Sequence, residues 1–316
     1  MKIVVSIVCN TYNQRNYIRD ALDGFLMQIT EFPYEILIHD DASTDGTTEI
    51  VKEYAERYPK IIKLIIQNEN QYSKGKAISE SFQFPRAQGK YIAFCEGDDY
   101  WTDPRKLQKQ VEAMEKYPQI DICAHRMMTM HENLKTGFVP KQKKNTIFSP
   151  AEVITGGGGF VATASLIFRR TLLDDHYKFI KMMSVDYVWQ IHGALRGGML
   201  YLGDCMGVYR QRARGSWTVR AEKDANAPIE AWTKIRNVLE TLNHETSGLY
   251  DEEITAQMAM MSLNIMVRRG EVKRILSYEG RRLLETQSLK QKIMIVAFAI
   301  RRKVLNMWHC KVKMKR

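Results

Sequence analysis

The sequence predicts an α/β fold with a mostly parallel central sheet and a helical extension at its C-terminal end. Two observations carry this. Through residues 1–128, short apolar β-branched runs alternate with stretches whose apolar residues recur at helical spacing. That is the pattern of strand–helix–strand units joined by right-handed crossovers. Beyond Arg220 the apolar spacing turns helical throughout.

The elements follow in order. Residues 2–9 form a continuous apolar run, as expected of a strand covered on both faces, and a polar loop follows at 10–16. Ile18, Ala21, Leu22, Phe25 and Leu26 mark one face of a helix. A second strand at 34–39 ends in Asp40-Asp41-Ala42-Ser43-Thr44-Asp45-Gly46-Thr47. Ile50, Val51, Tyr54, Ala55 and Tyr58 mark the next helix, and 61–67 is a third strand. A helix through Ala77, Ile78, Ser81 and Phe82 leads to a fourth strand at Tyr91. Asp103 is placed to cap a helix with Pro104 in its first turn and Leu107, Val111 and Met114 inside. A further strand spans 120–124, and the Lys-rich stretch 130–148 reads as a surface excursion. Gly156 to Gly159 is a hinge-like run before apolar 160–168. Ser184-Val185-Asp186-Tyr187 opens a short helix through Ile191 and Leu195. Residues 199–202 and 206–209 read as short edge strands, and 228–243, 252–269, 272–286 and 289–308 as helices.

Composition narrows the classes. The 316 residues are 45% hydrophobic and 26% charged, ordinary for a globular chain. The net charge of +11 is uneven: the last acid is Glu285, and residues 286–316 carry nine Lys and Arg. A basic partner therefore concerns the tail. Five scattered cysteines without a Cys-x-x-Cys pair fit reduced thiols, with neither a disulfide framework nor a zinc site. The N-terminal run is too short for a signal segment. No apolar stretch approaches the roughly 20 residues of a membrane span. Gly-x-Gly-x-x-Gly after the first strand and a P-loop are both missing.

Chemistry gathers at Glu96-Gly97-Asp98-Asp99-Tyr100-Trp101, which follows the apolar run at 91–94. The carboxyl edge of an open parallel sheet is where ligands bind. Hard cations that bridge phosphates take one or two carboxylates there. Loops carrying Thr11-Tyr12-Asn13 and Asp40-Asp41 leave the same edge.

Four stretches in order make the chain resemble a family-two glycosyltransferase of the GT-A fold. They are Val5-Ser6-Ile7-Val8-Cys9-Asn10-Thr11-Tyr12-Asn13-Gln14, the run from Ile38 to Thr47, Glu96 to Trp101, and Asp186 within Val185-Asp186-Tyr187-Val188-Trp189. Ala42 stands where the family usually has Gly, and Glu96 where it has the first Asp of Asp-x-Asp-Asp. After Val208-Tyr209-Arg210, Arg212 stands where many relatives carry His. The resemblance spans roughly residues 3–215. It implies a three-layer α/β/α domain over 1–220, with a nucleotide-sugar-binding half (1–128) and an acceptor-binding half (129–220). Residues 221–316 are then a helical extension with a basic amphipathic tail.

The resemblance implies transfer of a sugar from a nucleoside diphosphate, a UDP-sugar for preference, to an acceptor hydroxyl with inversion. Asp98 or Asp99 would hold Mn²⁺ or Mg²⁺ at the diphosphate, against the plain alternative of an acidic turn before a helix. Asp40 would accept from the base, with Thr11, Tyr12 and Asn13 lining that pocket. Asn68 or Asn70, with Lys74 or Lys76, would reach ribose or phosphate unless they are simply solvated. Glu96 would touch ribose or metal, and Arg210, Arg212 or Arg214 the diphosphate. Asp186 is the candidate base, with helix capping as its plain alternative. Asp41 and Asp45 read as turn formers, His192 as structural, and Trp101, Trp189 and Trp217 as core by default. In the tail, apolar 293–300, Arg301-Arg302-Lys303, Trp308 and the closing lysines read as an anchor to anionic lipid, with a core helix as the alternative. No nucleic-acid motif accompanies that charge. The expected setting is the cytoplasmic side of a membrane, with a carbohydrate or lipid-linked sugar as acceptor. The rival readings are a nucleotidyltransferase and a catalytically silent nucleotide-sugar-binding or membrane scaffold protein.

Overall fold

The computed structural model describes residues 2–131, 134–224, 226–284 and 289–313. The chain divides into two compact units, Met1–Arg220 and Ala221–Arg316. The first opens with β1 (Val5–Thr11), α1 (Ile18–Leu26), β2 (Tyr34–Asp40), α2 (Thr47–Arg57), β3 (Ile62–Ile66) and β4 (Tyr91–Phe94). β1 pairs in parallel with β2 and β4, and β2 with β3. The loops after β1, β2 and β4 therefore leave one edge, because parallel strands end on the same side.

β5 (Tyr100–Trp101), α3 (Lys106–Lys116), β6 (Ile122–His131), β7 (Leu134–Val139), β8 (Thr146–Phe148), α4 (Pro150–Gly156), β9 (Ile167–Arg169), α5 (Lys178–Met182), α6 (Asp186–Ala194) and β10 (Met199–Arg210) follow. The strand order is β3-β2-β1-β4-β9-β6-β10-β5, with β7 beside β6 and β8 beside β10. The long β6–β10 ladder is parallel, and short antiparallel ladders join β9, β5, β7 and β8 to it.

Strand alternation builds the layers. Val5, Ile7 and Cys9 share one core with Leu22 and Phe25 of α1, Val51 of α2 and Leu107 and Met114 of α3. On the other face Phe94 and Phe168 meet Phe84 and Trp189, with Phe168 and Trp189 stacked at 5.3 Å. Burying one such side chain contributes about 1.5–3 kcal/mol. This is the α/β/α arrangement expected from the sequence.

Several elements differ from expectation. The helix through Ala77 and Phe82 is a single π-helical turn, Ser79–Gln83, running into a 3₁₀ turn at Phe84–Arg86. Pro85 stops its extension, and buried Gln83 donates instead to the Cys9 and Leu37 carbonyls. α3 begins at Lys106, and Asp103 accepts from the Arg105 N–H (2.8 Å) in the preceding turn. The 130–148 excursion holds β7 and β8, whose strand pattern its lysines obscured. Residues 199–210 form one strand with register shifts between Leu202 and Gly207. A Cβ at Gly203 would lie 1.9 Å from the Lys143 carbonyl oxygen, so the crossing loop imposes the irregularity. Gly157, with φ 68°, ends α4 in place of a hinge.

α7 (Trp217–Lys223) crosses the division of the chain. The second unit holds α8 (Ala227–Glu245), α9 (Asp251–Arg269), α10 (Val272–Ile275), α11 (Tyr278–Leu284) and α12 (Leu289–Lys313). The expected helix at 272–286 is thus two short ones. α9 ends at Gly270 (φ 70°), where a Cβ would strike the Lys303 backbone at 2.7 Å. Only glycine admits both that φ and that approach of α12. Leu263, Met266, Ile275, Leu284 and Ala299 form this unit's core. Among the described residues no helix is long and apolar enough to cross a membrane. The side chains of Trp217, Trp308, Lys311 and Lys313, and residues Lys315 and Arg316, lie outside the described residues.

Candidate active site

The floor of the site is the meeting of the loops after β1, β2 and β4. Asn13 (φ 53°) joins the first two: its N–H donates to Ser43 Oγ (2.9 Å), and its Oδ1 accepts from the Thr44 N–H (2.8 Å). The third loop enters beneath them because residue 97 has no side chain. A Cβ on Gly97 would lie 2.5 Å from Gln14 Oε1, 2.8 Å from Ile18 Cδ1 and 3.0 Å from Thr11 Oγ1. Thr11 Oγ1 and Gln14 Oε1 are buried without a protein partner at this point. Tyr12 stands exposed beside them.

Above this floor lie four acids. Glu96 is exposed to solvent, although protein packs closely around it. Burial first, then the charges of Asp98 and Asp186, push its carboxyl up to about 8. Burial likewise raises Asp98, which is partly exposed. Asp99 is buried, and desolvation followed by the charge of Asp98 holds it well above the carboxylate range. Burial also raises Asp186. The Tyr209 hydroxyl, raised to about 12 by burial, feels all four carboxylates. Glu96, Asp98, Asp99 and Asp186 therefore form one electrostatic cluster, although 90 residues separate the first from the last.

Two arginines answer this charge. Arg210 is locked in place: its N–H donates to Asp99 Oδ1 (2.8 Å), its guanidinium donates to the Asp98 carbonyl (2.9 Å), and it pairs with Asp20. It also lies over the Tyr100 ring at 4.3 Å. Arg220 lies over the exposed Tyr72 ring (5.5 Å), and its charge lowers both Glu96 and Asp98.

Asp186 opens α6. Its Oδ2 accepts from Thr163 Oγ1 (2.8 Å) and its Oδ1 from the Tyr187 N–H (2.7 Å). Glu80, in the π-helical turn, reaches across to this loop and accepts from Ser184 Oγ (2.5 Å) and Trp189 Nε1 (3.2 Å). The candidate base is thus oriented from two sides.

Asp40 ends β2 at the same edge. It is fully buried, and its two oxygens accept from Ser43 Oγ and Thr48 Oγ1. These bonds brace the loop and leave each oxygen with further acceptor capacity. Asp41 accepts from the N–H groups of Gln71 (2.8 Å) and Tyr72 (3.0 Å), anchoring the loop on which Asn68 and Lys76 are exposed. Asp45 accepts from the Arg15 and Thr47 N–H groups. Arg212 sits in a left-handed turn (φ 60°) after β10. His192 is buried against Asp175 (2.7 Å), and Trp101 donates to the Ala164 carbonyl (2.8 Å); both belong to the core. Thr163, Glu80, Tyr209 and Arg220 carried no sequence signal, since each acts on partners far away in the chain. Gln14 adjoined the Thr-Tyr-Asn stretch and was within reach of a sequence reading.

Among the described residues no group of three or more side chains is placed to hold a metal by itself. A cation completed by substrate phosphates needs only one or two carboxylates. The crowded, desolvated acids fit that need, with Asp98 partly exposed and one Asp99 oxygen held by the Arg210 N–H.

Comparisons with known proteins bear on the family and the fold. The family model described as glycosyl transferase family 2 matches residues 6–177. An uncharacterized protein of Mycobacterium tuberculosis is 38% identical over 217 residues, 67% of this chain and 60% of that protein. The putative teichuronic acid biosynthesis glycosyltransferase TuaG of Bacillus subtilis is 39% identical over 113 residues, 36% of this chain and 42% of its own. The structure of S. aureus TarS 1-349 in complex with UDP superposes with TM-score 0.59 at 16% identity, covering 95% of this chain and 81% of that one. The chain spans about 60% of the length of the mycobacterial relative it matches. With a family model covering more than half its length and a matching α/β/α architecture, the chain belongs to glycosyl transferase family 2 and has the GT-A fold.

Proposed function

We propose that this protein transfers a sugar from a nucleoside diphosphate donor, a UDP-sugar, to an acceptor hydroxyl with inversion at the anomeric carbon. The observation that supports it is the placement of Asp186, oriented by Thr163, in the same charge cluster as Glu96 and Asp98. Asp186 takes the proton of the acceptor hydroxyl as that oxygen bonds to the anomeric carbon and the bond to the diphosphate breaks. Burial raises Asp186 above the ordinary carboxylate range, which makes its carboxylate a stronger base. Thr11 and Asn13 shape the base pocket, Tyr12 offers a face to stack on it, and Asp40, braced by Ser43 and Thr48, accepts from the base. Asn68 and Lys76 flank the ribose and phosphates. Arg210 positions Asp98 and Asp99, and Arg220 faces the leaving diphosphate.

Asp98, with Asp99 and Glu96 beside it, would hold Mn²⁺ or Mg²⁺, and the ion when bound neutralises charge on the diphosphate. TarS, solved with UDP, and TuaG, named for teichuronic acid biosynthesis, support a UDP donor and a surface polysaccharide or glycolipid product. We place the work at the cytoplasmic face of a membrane. Domain roles follow: residues 1–128 hold the donor, 129–220 the acceptor, and 221–316 extend toward the lipid.

The test is UDP release from a panel of UDP-sugars with Mn²⁺ and acceptor. Asp186→Asn is expected to lower turnover by roughly 10²–10⁴-fold while UDP still binds. Full turnover in Asp186→Asn would remove the base assignment. UDP binding without turnover on any sugar would favour a silent scaffold.

A further inference from the structure

We infer that the outward face of α12 is a docking surface for an anionic lipid bilayer; this deepens the membrane-side reading above and rests on it. The helix is divided lengthwise. Ala299 is fully buried, and Ile295 and Val296 pack with it on Leu263, Met266, Ile275 and Leu284. One apolar face is thereby accounted for.

A second apolar face has no such cover among the described residues. Ile293, Ala297, Ile300 and Val304 recur at spacings of four, three and four, and Met294, Phe298 and Arg301 run beside them. Ile293 is 61% exposed, Phe298 55%, Val304 54%, Ile300 48% and Met294 45%. Singly exposed apolar residues need no explanation, but a contiguous row on one helix marks an interaction site. From Ile293 to Val304 the row is about 17 Å long. That length suits lying along an interface, not crossing one.

Charge selects the occupant. Arg301 continues the line of Met294 and Phe298 on one flank of the row, Lys292 and Lys303 fall on the other flank, and no acid follows Glu285 in the sequence. A bilayer interface takes apolar side chains at the acyl boundary and cations at the phosphates together. A second copy of this chain would bring Arg301 and its neighbours against their own kind, with no acid on the helix to answer them. Nucleic acid would take the cations and leave the apolar row in water.

Flotation of the full chain with phosphatidylcholine vesicles, with and without phosphatidylglycerol, tests this. Binding is expected only with the anionic lipid, and the double variant Ile293→Ser/Phe298→Ser should weaken it about tenfold or more. Phe298→Leu should retain it. Lys292→Gln/Arg301→Gln/Lys303→Gln leaves the apolar packing alone and should abolish the preference for anionic vesicles, so a misfolded serine variant, detected by circular dichroism, does not end the test. Equal binding of the chain and its serine variant, binding indifferent to phosphatidylglycerol, or no binding at all would overturn the inference. So would a dimer in sedimentation velocity that the serine variant dissociates. UDP release without vesicles is read in parallel. Its survival with lost flotation overturns only the lipid face, and its absence with intact flotation overturns the transferase reading.

Discussion

At the scale of single residues, the site is a set of side chains whose freedom has been removed. Asp186 is held by Thr163 and its own helix, Asp99 by the Arg210 N–H, and Asp40 by two hydroxyls. Among the non-glycine residues in left-handed conformations, which include Asn13 and Arg212, Ala42 has no polar side chain to bond its own turn. Ala42 has φ 64°, a left-handed conformation that costs an L-residue energy and that glycine adopts freely. The substitution Ala42→Gly should therefore raise stability by roughly 0.5–1 kcal/mol, net of the greater freedom of glycine in the unfolded chain. Chemical denaturation measures this, and a lower midpoint with unchanged slope would refute the strain argument. The position was legible in the sequence because Ala42 departs from the family's usual Gly. The partners of Asp40 were not, because they include Thr48, the second residue of α2, which only the packed chain brings to it.

At the scale of elements, the candidate site depends on how closely the loop after β4 passes under the loop after β1. Gly97 permits that passage, and fully buried Ile18 on α1 leaves no room for a methyl group. Gly97→Ala should cost about 1–3 kcal/mol of stability, the usual penalty of overpacking. It should also weaken UDP binding, since Asp98 and Thr11 must part to admit the new atom. A thermal melt and UDP titration check both, and a variant matching the wild type in each would show that the loops yield. Elements with strong periodicity (α1, α2, β2 and β4) were read from the sequence within a few residues. β10 was not, because its bulge against the 142–145 loop splits the pattern into two apparent strands. The short turns at 79–86 were missed for a different reason: their helical spacing was real, but Pro85 stops the helix from continuing.

At the scale of the whole molecule, the acid cluster makes stability depend on pH in a definite direction. Glu96, ordinarily near 4.5, is raised to about 8, and Asp98, Asp99 and Asp186 are raised as well. Between the ordinary and raised values the folded protein binds more protons than the unfolded chain, so stability falls as pH rises through that window. The melting temperature of the protein without added metal should therefore decline as pH climbs toward about 8. Mn²⁺ with UDP should offset the decline, with affinity increasing over the same range as protons leave the cluster. Melting curves across pH, with and without Mn²⁺ and UDP, give the answer. A melting temperature that rises with pH in the metal-free protein would contradict the crowding and desolvation of these acids.

Helical and strand periodicity is a property of neighbouring residues, so the sequence alone determined the α/β alternation, the helical extension and the edge from which the polar loops depart. It also determined that the surplus of positive charge belongs to the tail. Which distant groups meet is a property of the packed chain. Only the tertiary structure brought Thr163 and Glu80 to the Asp186 loop, set Arg220 against Glu96, turned Asp40 inward and left one apolar face of α12 in solvent. Burial and charge act through space, and through space Glu96 and Asp186 are neighbours.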